Sequence, residues 1–139
     1  MKTIVVIDGQ GGGIGSTIIK KLREGYAEHC VIIALGTNAV ATANMLKAGA
    51  NRGASGQNAI VQTANHADLI IGPISIVMAN AMLGELTPRM ADAIASSNAR
   101  KILIPLSQEN VAVVGVSSDP LPRLIETMLV ENLSELAPD

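Results

Sequence analysis

The stretch "IDGQGGGIGS" places Asp8 and five glycines, Gly9, Gly11, Gly12, Gly13 and Gly15, between an aliphatic run and a run with helical spacing. Main chain without side chains can approach a phosphate closely, and N–H groups at a helix start point at the anion. In that reading Gly9 allows the turn, Gly13 the close approach and Gly15 the packing of helix on strand. Gln10, Ile14 and Ser16 complete the loop. The same glycines also suit a strained loop that binds nothing, and residue types alone leave both readings open. Asp8 has two uses as well. It can accept hydrogen bonds from the loop's own N–H groups, the commoner role, or hold Mg²⁺ beside a phosphate.

Other chemistry-bearing residues fall after other aliphatic runs. "LGTN" brings Thr37 and Asn38, which can bond a ribose or cap the next helix. "IIGPIS" brings Gly72, Pro73 and Ser75, and "PLSQEN" brings Ser107. No Arg or Lys cluster stands beside these segments to take an extra ribose phosphate. His29 and His66 have no partner at metal-ligand spacing. Cys30 is the sole cysteine and adjoins an aliphatic run, which reads as a buried thiol. Glu85 reads as a surface loop residue before a helix cap, with general-base chemistry the alternative.

The elements that position these groups alternate along the chain. "TIVVI" (3–7), "CVIIAL" (30–35) and "DLIIG" (68–72) read as buried strands, with a very short strand inside "ANRGASGQ". Helices are predicted over 14–24, closed by Gly25, and from the Thr37-Asn38 cap to about Ala48. Two more are predicted over 57–66 and after the cap Thr87 with Pro88 at the first helical position. "KILIPL" (101–106) and "VAVVGV" (111–116) are joined by four polar residues. That is too short for a parallel crossover, so they are expected to pair antiparallel at a sheet edge. Asp119-Pro120 opens a last helix.

This order predicts one Rossmann-like domain over residues 1–139: a three-layer α/β open sheet, mostly parallel, with a C-terminal antiparallel edge hairpin. In such sheets ligands sit beyond the carboxyl ends of the strands, where strand order reverses. If the first and fourth strands are neighbours, Gly72, Pro73 and Ser75 face the glycine loop across that crevice.

Composition limits the partners. The net charge is −2 and the chain has one Tyr, no Phe and no Trp. It offers neither a basic field nor stacking platforms, so nucleic acid is not an expected partner. No apolar stretch reaches the ~20 residues of a spanning helix, so no membrane partner is expected and a cytoplasmic location is. Between residues 31 and 88 only Lys47, Arg52, Asp68 and Glu85 carry charge. Part of this segment is therefore expected to meet a ligand or a second copy, most simply in a homodimer.

"DGQGGGIG" resembles the turn of short-chain dehydrogenases, with Gly9, Gly13 and Gly15 in the spacing G-x-x-x-G-x-G. That resemblance implies a nucleotide cofactor such as NAD(P). Their Tyr–Lys pair is missing: the only tyrosine, Tyr26, is followed four residues later by Cys30. Across nearly the full length, "IDGQGGGIG", "IALGTN", "MLKAGA", "IIGPI", "MLGExTPxMAxAI" and "KILIPL" also resemble a family of small bacterial proteins of uncharacterised function. That resemblance implies a Rossmann-like fold and transfers no catalytic residue. The functional expectation is a nucleotide or other phosphorylated small ligand at residues 8–16. A structural or regulatory homo-oligomeric module without ligand is the alternative, and a metal-dependent enzyme using Asp8 or Glu85 ranks third.

Overall fold

The computed structural model describes residues 1–26, 30–107 and 109–133; the candidate His29, and Gln108 of the last strand-end loop, lie outside the described residues. Five strands form one sheet: β1 (Lys2–Asp8), β2 (Cys30–Gly36), β3 (Arg52–Ser55), β4 (Leu69–Pro73) and β5 (Arg100–Ile104). The helices are α1 (Gly13–Tyr26), α2 (Ala39–Lys47), α3 (Gln57–Thr63), α4 (Pro88–Ser96) and α5 (Leu121–Glu131). Strand order is β3-β2-β1-β4-β5. Every neighbouring pair runs parallel, in the Rossmann-like manner.

Aliphatic side chains alternate between two layers, as the two-residue period of a strand demands. Ile4, Val6, Ile32, Ala34 and Ile71 pack with Ile18, Leu22, Met45 and Ile125, on the side of α1, α2 and α5. Val5, Ile7, Leu35 and Ile70 pack with Ile60, Met90 and Ile94, on the side of α3 and α4. Strand parity therefore puts Asp8 on the same side as Ile4 and Val6, beneath the start of α1. Helix ends follow their residue types. Asn38 caps α2 by accepting from the Ala41 N–H, and Thr87 caps α4 by accepting from the Met90 N–H, with Pro88 in the first turn.

Two expectations need correction. Residues 111–116 form no strand, so the antiparallel edge hairpin is absent from the described residues and the five-stranded sheet is wholly parallel. The run is β-branched but has no layer to lie on. Val111, Val113, Val114 and Val116 are all exposed, and Gly115 turns the chain at φ +87°. Gly25 does not close α1, which continues to Tyr26. The charge-poor segment 31–88 contributes to both layers of the core. It supplies two interior strands, β2 and β4, and its large exposed apolar side chains are limited to Val40, Leu46 and Leu83 among the described residues.

The chain visits β1, β2 and β3 in one direction, then returns to place β4 on the other side of β1. The loops after β1 and β4 consequently leave in opposite directions and open a crevice between them. Gly72 keeps those strands close, because a Cβ there would run into the Ile7 carbonyl and lie 3.0 Å from Ile76 Cδ1. Replacing Gly72→Ala is expected to lower the unfolding free energy by about 1–3 kcal/mol. Urea titration checks this, and an unchanged midpoint would mean that the β1–β4 contact is looser than described.

Candidate functional site

Asp8 ends β1 and is almost wholly buried, at 5% exposure. Its Oδ1 accepts from the Gly9 N–H at 2.8 Å and its Oδ2 from the Gly15 N–H at 2.7 Å. Burial pushes this carboxyl up from its ordinary value. The N–H groups of Gly15, Gly9 and Ile14 pull the other way, and the Glu85 charge adds a smaller upward push. Asp8 thus acts as a built-in anion at the positive end of α1, as the capping reading of the sequence has it.

Each glycine of the loop meets different surroundings. At Gly9 a Cβ would lie 2.5 Å from both Met82 Sδ and Thr37 Oγ1. Gly12 makes the turn itself, at φ +71°, with Ala41 backbone atoms 2.9 Å from a would-be Cβ. Its N–H closes that turn onto the Gly9 carbonyl at 2.8 Å. Gly15 would bring a Cβ within 2.6 Å of Met45 Sδ and 3.0 Å of Asp8 Cβ, the close packing of helix on strand expected of it. Gly11 and Gly13 differ from these three. A Cβ at either would meet nothing within 4 Å, and neither has a left-handed backbone. Among the described residues no acceptor takes their N–H groups.

Glu85 is a site residue that sequence reasoning placed on an ordinary surface loop. Its Oε1 accepts from the Gln10 N–H at 2.9 Å, Thr37 Oγ1 at 2.7 Å and Asn38 Nδ2 at 2.8 Å. The Thr37 hydroxyl bond is the chief reason this carboxyl is held below its ordinary value. Burial opposes it, and the Gln10 and Asn38 bonds add to it. Asn38 also donates to the Gln10 carbonyl at 2.9 Å, and its oxygen caps α2. Thr37 and Asn38 therefore brace the glycine loop, and these hydrogen bonds occupy the groups a ribose would need. The signal for Glu85 in the sequence was its isolation as a lone carboxylate late in a charge-poor segment.

A cleft of about 250 Å³ opens beyond the carboxyl ends of β1, β4 and β5. Asp8, Gln10 and Ile14 face Pro73 and Ser75 across it, the juxtaposition expected if β1 and β4 are neighbours. Met82, Leu106, Ser107 and Glu109 complete the lining, which contains no Arg or Lys. Gly72 lies buried in β4, and Ser16 faces a separate groove on α1 with Thr17 and Lys20. Gln10 and Met82 both hold left-handed backbones, at φ +49° and +60°. Strain of this kind persists only where surrounding contacts fix it. Among the described residues no group of three or more His, Cys, Asp or Glu side chains could hold a metal ion. No helix there is long and apolar enough to cross a membrane.

Since Glu85 has a lowered carboxyl value in the folded chain, its contribution is complete above about pH 4.3 and is lost as pH falls through the folded value. Glu85→Ala, which leaves three donors without their acceptor, is expected to destabilise by about 1–2 kcal/mol at pH 7. The deficit should shrink by pH 3. Urea midpoints at both pH values check this, and an equal deficit at each would assign the effect to packing rather than charge.

No curated protein matches the chain. Among solved structures it is similar to a universal stress protein in complex with cAMP, at 19% identity and a TM-score of 0.44, covering 74% of this chain and 95% of that one. It is also similar to a dodecameric FMN-dependent UbiX-like decarboxylase from Escherichia coli O157:H7, at 20% identity and a TM-score of 0.48, covering 98% of this chain and 76% of that one. A family model described as a domain of unknown function, DUF3842, matches residues 3–137. The chain belongs to that family, as the strings spread from Ile7 to Leu106 imply.

Proposed function

We propose that this chain binds a small metabolite with one anionic group, of mononucleotide size or less. Its uncharged body lies in the cleft and its anion sits at the Gly11 and Gly13 amides. The observation that carries this reading is the pair of glycines the fold itself does not need. Gly9, Gly12 and Gly15 are explained by close neighbours or a left-handed backbone, whereas Gly11 and Gly13 have ordinary backbones, open space and, among the described residues, no acceptor for their N–H groups. A ligand approaching the main chain accounts for glycine at both positions.

The count of donors limits the ligand. Asp8 takes the N–H groups of Gly9 and Gly15 and is also stabilised by that of Ile14, and Glu85 takes that of Gln10. Two free amides without a neighbouring cation suit one phosphate or carboxylate, not the pyrophosphate of NAD(P). The cleft, at about 250 Å³, is also smaller than the roughly 300–1,000 Å³ of sites that enclose larger ligands. Asp8 and Glu109 make its floor unfavourable to a polyanion. Ile14, Pro73, Met82 and Leu106 offer apolar contact to a ring, and Ser75 and Ser107 offer hydroxyl contacts.

The reading of the loop as architecture alone has its own support, since Asp8 and Glu85 already satisfy much of it. Isothermal titration of wild type and Gly13→Leu with AMP, FMN, NAD and inorganic phosphate separates the two. A Cβ at position 13 meets nothing within 4 Å, so the variant is expected to fold with a Tm close to that of wild type. Binding of a mononucleotide by wild type, weakened at least ~tenfold in the variant, is the expected result. No heat with any of the four, or equal affinity in both proteins, would favour architecture.

A further inference from the structure

Among the described residues the buried polar or charged side chains are Asp8, Thr42, Ser75 and Ser97. A buried polar group without a partner costs stability, so each of them needs an explanation. The fold itself explains all but one. Asp8 accepts from the Gly9 and Gly15 N–H groups. The Thr42 hydroxyl accepts from the Gly36 N–H at 3.1 Å and from the Ser55 hydroxyl at 2.8 Å, tying α2 to β2 and β3. The Ser97 hydroxyl donates to the Ala64 carbonyl at 2.6 Å and accepts from the Ala99 N–H at 3.0 Å.

Ser75 is the exception. It lies in the 3₁₀ turn Ile74–Val77 that follows β4 and is 4% exposed. Its carbonyl closes that turn by accepting from the Met78 N–H at 3.0 Å, and the turn uses no side-chain cap. No group among the described residues bonds the Ser75 hydroxyl. Nor is it sealed inside the protein, as the unpartnered Ser16 oxygen is; Ser75 lines the cleft. Around it there, Ile14, Pro73, Met82 and Leu106 have no side-chain group to offer it, and both oxygens of Asp8 already accept from the glycine loop.

We infer that Ser75 is the specificity-determining residue of the cleft, its hydroxyl kept for a hydrogen-bonding atom on the body of the ligand. The inference rests on the ligand site proposed above and narrows its occupant to anionic metabolites whose body carries a ring nitrogen, carbonyl, amine or hydroxyl. In a mostly apolar cleft a single placed polar group fixes orientation. A hydrocarbon body would fill the same walls but leave the hydroxyl unpaired, and is rejected for that reason.

Isothermal titration of AMP, FMN and phenyl phosphate into wild type, Ser75→Ala and Gly13→Leu tests this, together with the Tm of each protein without ligand. Ser75→Ala removes a hydroxyl the fold does not bond, so its Tm is expected to be unchanged or raised by up to about 4 °C. Its affinity for AMP or FMN is expected to fall at least ~tenfold. Phenyl phosphate, whose ring has no hydrogen-bonding atom, is expected to bind wild type at least ~tenfold more weakly than the better nucleotide. A nucleotide bound equally by wild type and Ser75→Ala but poorly by Gly13→Leu would overturn this inference and leave the proposed site standing. A Tm lowered by several degrees in Ser75→Ala would assign the hydroxyl to the fold, and phenyl phosphate bound as tightly as the nucleotide would remove the selectivity. No binding of either nucleotide to wild type would overturn the proposed site and this inference together.

Discussion

The arrangement of the glycine loop depends on a buried carboxylate beneath the first turn of α1. A helix start leaves N–H groups without partners and carries partial positive charge. Here Asp8 meets that need from below, with one oxygen for Gly9 and the other for Gly15. Burial penalises the charge on Asp8, and the amides it accepts from oppose that penalty. The result is a loop fixed at both ends by one side chain. Glu85 adds a second anchor through the Gln10 N–H and joins the loop to the start of α2 through Thr37 and Asn38. Two anions thus hold a loop whose composition suggests that it holds an anion.

That anchoring determines which parts of the loop remain open to chemistry. The inner amides serve the fold, and the outer ones, at Gly11 and Gly13, do not. The sheet order opens the crevice between β1 and β4, where Gln10 and Ile14 of the loop face Pro73 and Ser75. A ligand there would meet apolar walls and hydroxyls inside the cleft and main-chain donors at its edge. The acidic floor discourages a second phosphate. Selectivity in this account comes from how few donors are left.

Much of this was legible in the sequence because the physics is local. Aliphatic runs with no charge read as interior strands, Asn38 and Thr87 read as caps, and Asp8 read as a capper of its own loop. The adjacency of β1 and β4 was not legible, because right-handed crossovers are compatible with more than one strand order. Glu85 was legible only as an isolated carboxylate, and its bracing of the loop was not, since its bond to Gln10 spans 75 positions. The run 111–116 misled for the opposite reason. Its valines carry strand propensity, but propensity describes a half-covered pleated surface, and this chain provides no cover for them. The charge-poor central segment was similarly ambiguous, because burial within one chain and burial against another leave the same composition.

The central claim is a division of the loop's amides into those the protein has satisfied and those it has left open. Native-state amide hydrogen exchange, read residue by residue by NMR without ligand, tests it most directly. The account predicts slow exchange at Gly9, Gly12 and Gly15 and exchange close to that of an unfolded chain at Gly11 and Gly13. Protection at Gly11 and Gly13 equal to that at Gly15, or a Gly15 amide as labile as theirs, would contradict it.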